Sequence, residues 1–570
     1  MIKIITLLCP LLFVVSISTA QTVQAKLPED AEVSIKKRIA GEQNPSIVVG
    51  IIDKQGYRYF NFGHVKANGA LANEHSIYEI GSISKVFTAI LLGQQVRDGK
   101  IKLDDPAQKY LPKDVRVPQY GGKEITIGNL SDHTSGLPRM PSNFTPANPA
   151  NPFADYTVAQ MYSFLNSYEI SREIGSVYEY SNLAQGLLGH ILALNTGTTY
   201  EALMISTIAA PLKMKETKIV LNDAMKKNLA IGHSNGVAVE NWDIPTLAGA
   251  GAIRSSTFDM LSFIAANLGL TKSPLQEAMN MSHLVRHDKA GNMRVGLGWH
   301  IATGKNGDVI WHNGGTGGYR SFIGFVKESA TGIVVLTNSS VGVDDIGFHL
   351  LNPDAPLADV KASILPALRK EIDAKGPEAG VALYRELMKN KSEYDFTENV
   401  LNILGNSYLD KNLPASLALF RLNVEQFPKS YSVYDSYAYA LAKNNQKDLA
   451  IENYKKSLEL NPANVASLKA LENLGAKFQV MDVDVPESVL DTYVGTYELA
   501  PGFNIEITRI DKQLFAQATN QPKFEIFAKS NTEFYLKVVA ASVTFNSNGQ
   551  QIESLTLHQN GRDVPGKKVK

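Results

Sequence analysis

Hydrophobic periodicity changes character twice along this 570-residue chain, and those changes limit its fold before any motif is considered. From about Lys26 to Pro353 strand and helix patterns are mixed. PSIVVGIID (Pro45–Asp53) and YRYFNFGHV (Tyr57–Val65), joined across Lys54-Gln55-Gly56, predict an antiparallel hairpin. RSFIGFV (Arg320–Val326) and TGIVVLTN (Thr331–Asn338) predict a second strand pair, with helical segments such as Ser82–Asp98 and Leu183–Leu194 between the two pairs. Strands at both ends with helices between them predict an α+β domain, 26–353, whose terminal segments share one antiparallel sheet flanked by helices.

From about Pro356 to Gln479 the pattern becomes helical and repeats. Phe420 and Pro428 recur as Tyr454 and Pro462, 34 residues on in both cases. Ala438, Ala450 and Tyr454 fall where a tetratricopeptide unit places small and aromatic packing residues. Leu404, Gly405 and Tyr408 make the same pattern one residue out of phase, and a third unit is faintly outlined around Glu378–Lys391. Residues 356–479 resemble a short tetratricopeptide array, a surface type that takes protein partners. From Pro486 to the end, 486–570, short alternating segments such as FNIEITRI and EFYLKVV predict a small antiparallel β-barrel-like domain.

Composition narrows the function. Lys+Arg and Asp+Glu are both 56, so no net field recruits nucleic acid or an anionic membrane. Lys3, the apolar run Ile4–Val15 and the small residues of SISTAQ describe a secretory signal peptide over 1–20, with export to a periplasmic or extracellular location. The run is shorter than the ~20 residues that span a bilayer, so no stable membrane insertion is expected after cleavage. The only cysteine, Cys9, lies in this segment, which leaves the mature chain without thiolate or disulfide chemistry.

The candidate chemistry begins at S-I-S-K. Ser82 and Lys85 stand three apart at the start of an apolar helix, on one face, where free backbone N–H groups favour an oxyanion and disfavour an ammonium. Burial beside Val86, Phe87, Ile90 and Leu91 lowers the lysine pKa further, so that a neutral Lys85 is able to take the proton of Ser82. The same spacing occurs at Ser34-Ile-Lys-Lys37, and an N-cap serine with a solvated lysine is the plain alternative.

Two later segments favour the catalytic reading. Tyr180-Ser181-Asn182 precedes an apolar helix, and His312-Asn313-Gly314-Gly315 runs into the strand Arg320–Val326. Taken alone, Tyr180 fits a core tyrosine, Asn182 a helix cap and His312–Gly314 a turn. S-x-x-K, then Y-x-N, then H-x-G, with flanks such as LSDHTSGLP, GAGAIRSSTFDM and GLGWHI, closely resembles the serine β-lactamase and penicillin-binding family over about residues 35–345. The likeness is to its branch of ampC-type lactamases, D-Ala-D-Ala carboxypeptidases, D-aminopeptidases and lactamase-like esterases. The C-terminal segment resembles the lipocalin-like domain appended to such hydrolases.

This resemblance implies a serine hydrolase acting on a small-molecule or peptide substrate without cofactor or metal. Ser82 would be the acylated nucleophile, Lys85 its proton acceptor, and Tyr180 a partner in the base role that protonates the leaving group. Asn182, His312 and Gly314 would bind substrate. The N–H groups of Ser82 and Gly315 would form the oxyanion hole, each worth ~3 kcal/mol. Many lactamases carry lysine where this chain has His312, and Arg320 is the other residue able to supply that charge.

Three other features have plainer readings. His133 and Ser135 are read as shaping a loop near the site. Gly232-His233-Ser234-Asn235-Gly236 has the spacing of an α/β-hydrolase elbow, but VAVENWDIP follows in place of the required helix. His283 and His287 stand four apart on an expected helix with no carboxylate to complete a metal site, and are read as a solvated face. A tetratricopeptide-mediated binding protein with a vestigial hydrolase domain is the alternative function.

Overall fold

The computed structural model describes residues 26–66, 69–234, 236–288, 293–359, 361–462, 464–476, 483–500, 503–519, 521–536, 541–549, 551–559 and 562–569. The segment read as a signal peptide lies outside the described residues. Among those described, no helix is long and apolar enough to cross a membrane.

An eight-stranded sheet organises the first region. Its strands are β1 (Ser46–Asp53), β2 (Gly56–Gly63), β3 (His287–Asp288), β4 (Met293–Val295), β5 (His300–Gly304), β6 (Gly307–Gly315), β7 (Arg320–Val326) and β8 (Thr331–Thr337). They run in the order β2-β1-β8-β7-β6-β5-β4-β3, and every neighbouring pair is antiparallel. The expected hairpin and the expected sharing of one sheet by the terminal segments are both present, with Ile47 opposite Thr337.

The continuous apolar run of β1 explains why it lies inside the sheet. Ile47, Val49 and Ile51 pack with Ile35 and Ile346, from the helices Glu29–Ala40 and Asp344–Leu351 on one face. Val48 and Ile52 join the larger core of the other face, with Phe263 and Ile264 of the helix Thr257–Asn267. A strand buried on both sides must be apolar at nearly every position, as SIVVGIID is.

Helices follow from Leu365–Lys375 to Val465–Asn473. Leu413–Gln426 and Lys447–Leu460 begin 34 residues apart and bury Phe420 and Tyr454 at equivalent places. Gly405 has the Phe420 ring against it, 2.7 Å from where a Cβ would stand, so the packing partner of that aromatic must be glycine. The last region is a closed barrel of eight antiparallel strands, from Gly495–Ala500 to Arg562–Lys568. Side chains such as Tyr497, Ile507, Leu514, Phe545 and Leu555 fill its interior.

Two expected details differ. The helix read from Ser82 begins one turn differently: Gly81–Ile83 form a 3-10 turn and the α-helix is Ser84–Arg97. His283 and His287 do not share a helix face. The helix ends at Ser282, His283 is buried with Nε2 3.0 Å from Asn267 Oδ1, and His287 lies in β3.

Candidate active site

Ser82 is presented by a turn squeezed between two strands. The short strand Ile77–Glu79 pairs with Arg254–Ser256 and delivers the chain into Gly81, whose φ of 52° suits glycine. A Cβ on Gly81 would stand 2.7 Å from the Gly315 nitrogen, and one on Gly314 would stand 2.0 Å from the Ile80 carbonyl oxygen. The glycines of H-N-G-G therefore do more than make room for a substrate: Gly314 lets β6 close on the turn that holds Ser82. His312 to Gly315 are part of strand β6, not a turn, and the turn itself is 316–319.

Lys85, one helical turn on, is wholly buried. Its Nζ lies 3.0 Å from Ser82 Oγ, 2.9 Å from Asn182 Oδ1 and 2.7 Å from the Ala250 carbonyl oxygen. Burial, and secondarily the charge of Arg139, hold its pKa well below the ordinary lysine value. A neutral amine has two N–H groups and one lone pair. Asn182 Oδ1 and Ala250 O are acceptors only, so they take both N–H groups and the lone pair is left for the hydroxyl of Ser82. The arrangement can therefore remove a proton from Ser82 without a histidine.

Asn182 is free for this because a different residue caps its helix. Ser181 is the N-cap of Asn182–Thr196, its Oγ accepting from the Ala184 N–H at 2.9 Å, while Asn182 Nδ2 turns to Met140 Sδ. The cap reading of Asn182 is corrected by one position.

Tyr180 is a neighbour of Ser82. Burial pushes its phenol up to about 12, against the opposing effects of the Ser82 hydroxyl and of Arg139. It is the protonated phenol at neutral pH, suited to giving a proton away. Lys85 Nζ lies 4.8 Å from its ring centroid and the Arg139 guanidinium 5.1 Å. His133 stacks on the same ring at 4.7 Å, with His300 and His312 beyond it at 6.4 and 6.3 Å.

His312 is 1% exposed, and burial, with His300 adding to it, keeps it well below the ordinary histidine value. Its Nδ1 is 2.6 Å from the Asn313 carbonyl oxygen, so that nitrogen carries the proton and donates it there. His312 and Gly314 are covered, whereas Gly315 is exposed toward the cleft. Arg320 does not extend into solvent. Its Nη1 donates to the Thr316 and Tyr319 carbonyls and lies against Gly315, where it ties down the turn.

The loop SDHTSGLP clamps the Tyr180 segment: Ser181 N–H donates to His133 Nδ1, and Glu179 N–H to the His133 carbonyl. Ser135 is spent within its own turn, accepting from the Leu137 N–H. His233–Ser234 and Val237–Ala238 form a small hairpin, so the G-x-S-x-G spacing has no helix behind it. Sequence reasoning missed Arg139, His300 and Trp242. None sits in a recognisable spacing with Ser82, and only the fold brings them near it. Among the described residues, no group of histidine, cysteine and carboxylate side chains is arranged to hold a metal.

Comparisons with known proteins point to one family. A family model described as beta-lactamase matches residues 33–350, and a second, a domain of unknown function (DUF3471), matches residues 481–568. A beta-lactamase of Escherichia coli K12 is 27% identical over 372 residues, covering 59% of this chain and 94% of that protein. The D-alanyl-D-alanine-carboxypeptidase/endopeptidase AmpH of the same strain is 28% identical over 322 residues, covering 52% and 82%. Among solved structures, a class C beta-lactamase superposes with a TM-score of 0.51 at 21% identity, covering 58% of this chain and 98% of its own. With more than half of its length matched, the chain belongs to the β-lactamase family of serine hydrolases.

Proposed function

We propose that the protein cleaves an amide or ester through an acyl-enzyme on Ser82. Lys85 in its neutral form takes the hydroxyl proton as Ser82 Oγ bonds to the substrate carbonyl carbon. The N–H groups of Ser82 and Gly315 receive the oxyanion. As the bond to the leaving group breaks, Tyr180 supplies the proton that group needs and regains one from Lys85. Water then attacks the ester on Ser82, its proton passing through the same pair, and the acid product and free Ser82 are restored. Asn182 holds the Lys85 amine and faces the substrate.

The observation that carries this reading is the set of three neighbours around Lys85 Nζ, two of which accept only. A fluorophosphonate or fluorescent penicillin should label wild type at Ser82 and leave Ser82→Ala unlabelled. Labelling at any other serine overturns the assignment.

The substrate falls among D-amino-acyl peptides, β-lactams and esters. A neutral His312 whose one N–H is already used offers no fixed positive charge at the third motif. Esters or D-amino-acyl amides are therefore expected to be turned over better than benzylpenicillin, and a hundredfold preference for a free substrate carboxylate would contradict this. We read residues 1–20 as an export signal, 26–353 as the catalytic unit, 356–479 as tetratricopeptide-like repeats open to a protein partner and 486–570 as an accessory barrel. A chain ending before residue 481 should keep catalysis if this division is correct.

A further inference from the structure

Among the described residues, six that are not glycine have a positive φ, and only His133 is buried; the other five stand on half-buried or exposed turns. His133 has a φ of 62° and is 3% exposed. Its two neighbours hold it there. Asp132 Oδ2 accepts from Arg286 Nε at 2.9 Å and Oδ1 from the Thr134 hydroxyl at 2.6 Å, while the Thr134 N–H donates to the Asn129 carbonyl at 3.0 Å. A side chain at such a φ crowds its own backbone, so the conformation costs stability and persists only where the surroundings impose it.

The conformation gives His133 a three-point hold on Tyr180. The His133 carbonyl accepts from the Glu179 N–H at 2.8 Å, and its ring Nδ1 accepts from the Ser181 N–H at 3.1 Å. Those are the N–H groups on either side of Tyr180. The imidazole also lies on the Tyr180 ring, with 4.7 Å between centroids and 26° between planes. Because Nδ1 accepts, the neutral imidazole carries its proton on Nε2. A tyrosine that hands a proton to a leaving group must keep its oxygen in one place, since a misplacement of about 1 Å costs such a step on the order of a hundredfold.

We propose that His133 is a positioning residue for the proton donor: it sets the place of the Tyr180 hydroxyl, and its strained backbone is kept because it turns carbonyl and ring toward the same short segment. The inference rests on the acyl-enzyme reading, in which Tyr180 protonates the leaving group. It carries a dependence that a merely structural residue would not show. A p-nitrophenolate departs as a stable anion and needs little help from an acid. An alkoxide does not, and must receive the Tyr180 proton as its bond to the acyl carbon breaks. Misplacing Tyr180 therefore harms the second reaction and largely spares the first.

The test uses the full-length protein with p-nitrophenyl butyrate and ethyl butyrate, which form the same acyl-enzyme and differ in the group expelled. His133→Gly accepts the positive φ without strain and removes both the ring and the acceptor. It should lower kcat/KM for ethyl butyrate by about 100-fold and for p-nitrophenyl butyrate by less than about fivefold. Both rates come from one sample, so any loss of folded protein cancels in their ratio. His133→Asn, which tolerates the positive φ and can still accept from the Ser181 N–H, should recover part of the ratio. On a Tyr180→Phe background His133→Gly should leave the ratio unchanged within about twofold, since no donor remains to be positioned. Equal losses on the two esters, an asparagine variant no better than glycine, or a further change of the ratio without the Tyr180 hydroxyl overturns the proposal. Absence of fluorophosphonate labelling at Ser82 in wild type overturns the acyl-enzyme reading instead, so the two failures are distinguishable.

Discussion

Two eight-stranded antiparallel assemblies stand in one chain, and they treat their interiors differently. The barrel closes on itself and meets the polar needs of its buried tyrosines. Tyr493 stacks on Phe545 at 4.1 Å while its hydroxyl donates to the Asn531 carbonyl, and the Tyr497 hydroxyl donates to the Tyr493 carbonyl. The sheet of the catalytic region leaves the end of β6 unfinished, since β5 pairs only as far as His300 opposite Trp311. Around that end it buries an amine, and Glu79 Oε2, His312 Nε2 and Thr316 Oγ1 have no partner among the described residues. The barrel also leaves Asn504 Oδ1 and Thr508 Oγ1 without a partner among the described residues, so what separates the two assemblies is the buried amine and not unpartnered atoms as such.

The contrast is broken most severely at the buried amine. Ser82→Ala, Lys85→Ala and Tyr180→Phe should each lower kcat/KM by about 10³-fold or more, and the double variant Lys85→Ala/Tyr180→Phe should lose little beyond either single change if the two act as a unit. Multiplying losses, measured as initial rates on an ester, would assign them separate structural roles. Next comes Gly314→Ala. A methyl group 2.0 Å from the Ile80 carbonyl oxygen must push β6 away from Ser82. About 2 kcal/mol of destabilisation is expected, with a fall in kcat larger than that loss explains. A denaturation midpoint and a rate at a temperature where the variant is folded would measure both.

Phe545→Ala tests the other side. Emptying the barrel core should cost about 3–5 kcal/mol of barrel stability and change kcat/KM less than twofold. A matching loss of activity would show that the two assemblies are one cooperative unit. The smallest effect concerns Arg139→Ala. Its charge lowers the Lys85 pKa after burial has done so, so its removal lets that pKa rise. The neutral amine is then populated only at higher pH. The acid limb of the pH–rate profile should move to more alkaline pH, while the plateau is kept. An unmoved limb would remove Arg139 from the electrostatics of the site.

Some of this was legible in the sequence and some was not, for physical reasons. The β1–β2 hairpin and the spacing of Phe420 and Tyr454 are periodic, and periodicity records which side of an element meets a core. The motif residues stand at fixed spacings because helix geometry brings Ser82 and Lys85 together. Whether Ser181 or Asn182 caps the helix is invisible to such patterns, because both residue types cap well. The hydrogen bonds from Arg254 and from the Trp242 N–H to Glu79 join segments more than 150 residues apart, one of them through a backbone group that nearly every residue possesses. β3 and β4, two and three residues long, are too short to show an alternation.

The pairing of the first strand with the last has a consequence for synthesis. Asn44 bonds to Thr337 across 293 residues, and the Ser46 N–H donates to Asn338 Oδ1 across 292. Contacts so distant in sequence form late and slowly. A growing chain carries Ser82 and Lys85 long before the strand with Gly315 exists, so a partial chain cannot assemble the nucleophile, its amine and the opposite strand. The topology acts as a timer: hydrolytic power arrives only with the closing strand, and a chain still being made presents no competent serine.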